Sequence, residues 1–137
     1  PPPPASNPLS AAQLAKIVGR EGETFGAVYK ITVGREDIDL REMGAVIGSR
    51  MGLNSWAAFF GTDESAVVAG DIAMLESEVT PVLKALRSNG LDVVALHQHM
   101  IEVKPMIIFL HYWGKGPAAK LAAGFRAALD VSANKAK

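Results

Sequence analysis

Ser55-Trp56-Ala57-Ala58-Phe59-Phe60, then Gly61-Thr62-Asp63-Glu64-Ser65, then Ala66-Val67-Val68-Ala69-Gly70-Asp71-Ile72-Ala73, is the stretch on which the fold turns. Two runs rich in β-branched, aromatic and small apolar residues flank a short polar loop. That pattern predicts a β-hairpin, and hence an antiparallel sheet. Trp56, Phe59 and Phe60 are expected to pack in the sheet, and Gly70-Asp71 to mark a bulge or turn.

Upstream, Ala27–Val33 reads as another strand. Between them, Ile38 and Leu40 alternate with charged residues and suggest a short strand, while Gly44, Gly48 and Gly52 argue against a long helix. Gly19 to Gly26 is punctuation. A first helix starts after Ser10-Ala11-Ala12-Gln13, which has capping-box spacing, with Leu9 as the staple and Leu14, Ile17 and Val18 as the apolar face.

Downstream, Thr80 can cap a helix with Pro81 at its first position; Val82, Leu83 and Leu86 form its stripe and Asn89-Gly90 stops it. Strand Leu91–Met100, a turn near Val103-Lys104-Pro105 and strand Met106–Trp113 follow. Gly114-Lys115-Gly116-Pro117 is expected to break the chain before a last helix, Ala118 to Leu129, with Leu121, Phe125 and Leu129 at i, i+4 and i+8. The fold class is therefore α+β: a mostly antiparallel sheet with helices packed on one face. The closing helix–strand–strand–helix allows a ferredoxin-like arrangement in part.

The chain has 137 residues, which suits one domain with one core. Residues 10–130 are expected to form it, behind an extended Pro-rich leader at 1–9 and ahead of a flexible tail at 131–137. The leader Pro1-Pro2-Pro3-Pro4-Ala5-Ser6-Asn7-Pro8 reads as a polyproline-type tether. A cleaved secretion signal would leave such a start, and so would a cloning boundary; the reading adopted is an exported, periplasmic or secreted protein. Fourteen basic residues balance fourteen acidic ones, so no electrostatic footprint for nucleic acid is present. No apolar run reaches the roughly 18 residues of a membrane span. Without cysteine, disulfides, thiolate zinc sites and a thiol nucleophile are excluded.

All three histidines fall between positions 97 and 111, in Ala95-Leu96-His97-Gln98-His99-Met100 and at His111. Residues two apart on a strand project from one face, so His97 and His99 can reach one ion. If Glu102 pairs with Met106, His97 lies opposite His111 and His99 opposite Phe109. Directly opposed β-carbons are about 4.5–5.5 Å apart, which accommodates imidazole–metal bonds of about 2.0–2.1 Å. A slip of one residue would send His111 to the other face. A carboxylate or a water would complete the shell; Glu102, Glu76, Glu78 and Asp71 are the acidic candidates. Three imidazoles and an oxygen suit zinc, with copper, nickel and iron as alternatives. Met100 and Met106 fall on the opposite parity and are assigned to core packing. Trp113 shares the parity of the histidines, as a wall of their pocket or as core. A metal-free histidine site and a purely structural role are the competing readings.

Met51–Phe59, Gly70-Asp71, Glu78–Gly90, Ala95–Met100 and Phe109–Gly114 together resemble the LppY/LpqO family, bacterial proteins of largely unknown function that are often exported or lipid-anchored. The resemblance covers roughly residues 10–130. In that family the histidine pair usually reads His-Asn-His; here Gln98 stands in the middle, while His97, His99 and His111 match. Arg41–Arg50 departs from the family pattern, and one copy of the domain is present where many members carry two. The resemblance implies export and singles out the histidines; it supplies no reaction.

Three functions are thus expected in turn. The first is an exported metal-binding protein with zinc or copper on His97, His99 and His111. The second is a metalloenzyme with a metal-bound water and Glu102, Glu76 or Glu78 as general base. The third is a metal-free cell-envelope module that meets a protein partner or a second copy.

Overall fold

Residues 8–98 and 104–132 are described by the structure, a computed structural model. The hairpin around Gly61–Ser65 forms where its alternation predicts, as β5 (Asn54–Gly61) and β6 (Ala66–Leu75), closed by a hydrogen bond from the Thr62 N–H to the Ser65 carbonyl. In chain order, α1 (Ala11–Val18), β1 (Glu23–Phe25), β2 (Val28–Gly34), β3 (Leu40–Glu42) and β4 (Ala45–Ile47) precede it. After it come α2 (Val79–Ser88), β7 (Asp92–His97), β8 (Ile107–Gly116) and α3 (Ala118–Val131). Six strands form one sheet in the order β1-β2-β5-β6-β8-β7, with every neighbouring pair antiparallel; β3 and β4 make a separate hairpin. Because β6 and β7 both run antiparallel to β8, they are parallel to each other, and α2 carries the chain between them. This split β-α-β unit is the ferredoxin-like part of the fold.

The sheet has two unlike faces because alternate residues point opposite ways. Tyr29, Ile31, Val33, Ala57, Phe59, Val68, Ile72, Leu110 and Tyr112 face the helices and are buried with Leu14, Val18, Val82, Leu86, Leu121, Phe125 and Leu129. Helix α3 packs against both α1 and α2. Among the described residues, all three α-helices pack on that first face. At one end the β3–β4 hairpin folds over the other face, and Leu40, Ile47 and Leu53 bury Ala73, Ile107 and Phe109 in a second, smaller core.

Polar contacts fix the corners. Asp63, in the β5–β6 loop, accepts from the Ser10 N–H at 2.8 Å and the Ser10 hydroxyl at 2.6 Å, and its carbonyl receives the Ala118 N–H. The first helix is therefore anchored by a carboxylate 53 residues away, in place of the expected capping box. Ser10, the strongest contributor, holds the Asp63 carboxyl below its ordinary range. Arg35 is enclosed at the end of β2. It donates to Glu78 at 2.6 and 3.3 Å, to both oxygens of Asp37, and to the Ala73 carbonyl at 3.0 Å. Burial alone would lower the Arg35 pKa, but its hydrogen bonds to Asp37 and Glu78 outweigh that and raise it, so the guanidinium stays charged.

Several expectations are corrected. Gly70 sits in unbroken register between Ala57 and Tyr112, so it marks no bulge. The reason for glycine is closeness: a β-carbon there would collide with the Trp56 carbonyl oxygen and the Tyr112 hydroxyl, which hydrogen-bond to each other at 3.0 Å. The second helix starts at Val79 rather than Pro81, because Glu78 turns its carboxylate back to the Leu75 N–H. Strand β8 runs on through Gly116, and Gly114 is in it because the Leu91 side chain occupies the space of a β-carbon. Phe60 and Met106 are exposed, and helix α3 reaches Val131 with Ser132 buried beside it. The β1 strand and the β3–β4 hairpin arise where only punctuation and one short strand were expected. The leader up to Asn7, and 133–137 of the tail, lie outside the described residues.

Candidate metal centre

His97 and His111 sit on β7 and β8, on the face of the sheet opposite the α-helices. The observed register places Ala95 opposite His111 and His97 opposite Phe109, with an irregularity between Val93 and Ala95. The expected pairing of His97 with His111 is therefore displaced by two residues. Parity survives a two-residue shift, so His97 and His111 still share a face, as diagonal rather than direct neighbours. Diagonal side chains lie about 7–8 Å apart and remain within reach when long. The His97 ring lies over Phe109, with centroids 6.2 Å apart and planes 18° from parallel. His99 and Glu102 lie outside the described residues, as does Met100.

A residue outside the leading set comes closest to His111. Asp71 of β6 is its direct partner across the ladder, and Asp71 Oδ1 lies 2.7 Å from His111 Nδ1. The Asp71 side chain is largely enclosed at 15% exposure, while the His111 side chain is 38% exposed. On the far side of Asp71 stands Trp56, its partner on β5. The Trp56 ring lies 6.4 Å from that of His111, and Lys30 Nζ sits 4.6 Å from the Trp56 ring centroid. Thus Trp56, Asp71 and His111 form a row across three adjacent central strands. Trp113, two residues along β8 from His111, shares this face and is 41% exposed. Asp71 and His111 are 40 residues apart in sequence. Their only sequence signal was the parity of β6, which cannot say which strand lies alongside.

Of the other carboxylates, Glu78 is buried and bound to Arg35, and Glu76 lies in the turn before α2. A cleft of about 170 Å³ on the outer strands is lined by Glu21, Glu23, Phe25, Lys30 and Thr32. Among the described residues, no group of three or more His, Asp or Glu side chains is close enough to hold a metal ion. Nor is any helix among them long and apolar enough to cross a membrane.

The model of a family described as a Domain of Unknown Function (DUF1259) matches residues 12–131. The chain belongs to this family. The match runs from the first turn of α1 to the end of α3 and takes in both sheets of this DUF1259 domain. No curated protein and no solved structure gives a significant match to it.

Proposed function

We propose that this DUF1259 chain is an exported metal-binding protein whose ion, zinc or copper, is held by His97, His99 and His111. The observation that carries the reading is the shared face of His97 and His111 on adjoining strands, one diagonal step apart in the ladder. His99 follows His97 by two positions in sequence and supplies the third imidazole. A water or carboxylate completes the shell, since three imidazoles with one oxygen suit zinc and also admit copper. Support for export comes from the resemblance to LppY/LpqO proteins. The binding reading is preferred to a metalloenzyme because Glu78, a candidate base, already neutralises buried Arg35.

Metal analysis of protein purified without an affinity tag tests the proposal. One equivalent of zinc or copper is expected in the native chain. The triple variant His97→Ala, His99→Ala, His111→Ala is expected to retain none. Equal metal content in the two proteins would end the proposal.

A further inference from the structure

We infer that Asp71 is a positioning residue that fixes the proton of His111 on Nδ1 and turns Nε2 outward as the ligand-binding nitrogen. The ion that Nε2 would bind belongs to the reading above, but the assignment of the proton does not depend on it. An ionised carboxylate can only accept hydrogen bonds. With Asp71 Oδ1 2.7 Å from His111 Nδ1, the proton between them belongs to the imidazole nitrogen. In the neutral ring this leaves a lone pair on Nε2.

The arrangement is built into the sheet before any ion arrives. Asp71 and His111 are opposed in an unbroken ladder that runs from Ala66–Gly116 to Leu75–Ile107. β6 is an interior strand, flanked by β5 and β8, so its backbone is held on both sides. Trp56 flanks the pair on the β5 side, opposite Asp71 in the ladder and with its ring 6.4 Å from that of His111. Metal-binding histidines commonly give their second N–H to a carboxylate, which sets tautomer and ring orientation; losing that partner typically weakens binding 10- to 100-fold. The His111–Asp71 pair has that form, with the carboxylate enclosed and the imidazole partly exposed.

The test is nitrogen-15 NMR of the metal-free full chain at alkaline pH, with His111 assigned from a His111→Ala spectrum. The expected result is a protonated Nδ1 and an unprotonated Nε2 in the native protein. In Asp71→Ala the ring should revert to the mixture seen for unrestrained histidine, in which Nε2–H predominates. A zinc titration of the same two proteins should show the dissociation constant raised about 10- to 100-fold in Asp71→Ala with stoichiometry unchanged. A native His111 that carries its proton on Nε2 overturns the inference, and so does unchanged zinc affinity in Asp71→Ala. If the native chain binds neither zinc nor copper yet shows the Nδ1–H form, the metal reading fails and the role of Asp71 stands. Should Asp71→Ala not fold, the native tautomer alone decides.

Discussion

Arg35 and Glu78, 43 positions apart, meet at 2.6 Å with the guanidinium fully enclosed. Because Arg35 also holds Asp37 and the Ala73 carbonyl, one side chain joins the end of β2, the turn that follows it, β6 and the turn before α2. Removing one partner of a buried pair strands the other charge, at a cost of roughly 3–5 kcal/mol. Arg35→Met is therefore expected to lower unfolding stability by about that amount in urea titrations. Arg35→Met combined with Glu78→Leu should recover part of the loss, because no unpaired carboxylate is left inside. A single variant within about 0.5 kcal/mol of the native protein would show that the pair is not a structural clamp.

The same cluster predicts an acid-sensitive contribution. The Arg35 hydrogen bond, aided by its charge and opposed by partial burial, holds the Asp37 carboxyl below its ordinary range. A depressed folded value means that the unfolded chain binds the proton more tightly. The contribution is thus fully present above the unfolded value of about 4, and is lost as pH falls through the lower folded value. Asp37→Asn should be less stable than the native chain near neutrality, with the difference shrinking at low pH. Denaturant midpoints at successive pH values check this; a constant difference across the acid range would contradict it. The effect is small, because Asp37 is 40% exposed and screened by water.

Tyr112 ties β8 to β5 across β6. Its ring is buried, and its hydroxyl passes over Gly70 to the Trp56 carbonyl. Burial, with a smaller contribution from the negative charge of Asp71, pushes the phenol well above the usual tyrosine range. A raised folded value favours the neutral phenol, so this stabilisation is complete below the unfolded value of about 10 and is lost as pH rises beyond it. In an ultraviolet titration, Tyr112 should ionise together with alkaline unfolding. Tyr112→Phe should remove that component and cost about 0.5–1.5 kcal/mol at neutral pH for the lost hydrogen bond. Gly70→Ala should cost at least about 1–3 kcal/mol through overpacking. A reversible, early-ionising Tyr112 in folded protein would contradict the packing.

What could be read in advance was set by local patterning. The apolar alternation of β5 and β6 and the i, i+4, i+8 stripe of Leu121, Phe125 and Leu129 lie within single elements, and the structure follows them. The β3–β4 turn was hidden because Met43 and Gly44 both take positive φ, and methionine does not announce that conformation as asparagine would. The β7–β8 register was two residues off because loop length, rather than strand pattern, selects among registers of equal parity. For the same reason the shared face of His97 and His111 was legible but the partner of His111 was not. Asp71 reaches it through the nonlocal β6–β8 pairing, and the Asp63 carboxylate reaches Ser10 through the equally nonlocal meeting of a loop with a helix start.

Metal loading should also register in stability, because an ion bound only by the folded state stabilises it by mass action. At a free zinc concentration of 100 times the dissociation constant the gain is about 2.7 kcal/mol. For a chain of 137 residues, that corresponds to roughly 8–10 °C in melting temperature. The native protein should show this rise on zinc addition and lose it on chelation. His111→Ala should abolish most of it. Phe109→Ala should lower the melting temperature of the metal-free protein, since a buried aromatic ring is removed at a cost of about 3–5 kcal/mol, while part of the zinc-dependent rise remains. The contrast separates a ligand from the packing beneath His97. A zinc-dependent rise that survives in His111→Ala would place the ion elsewhere in the chain.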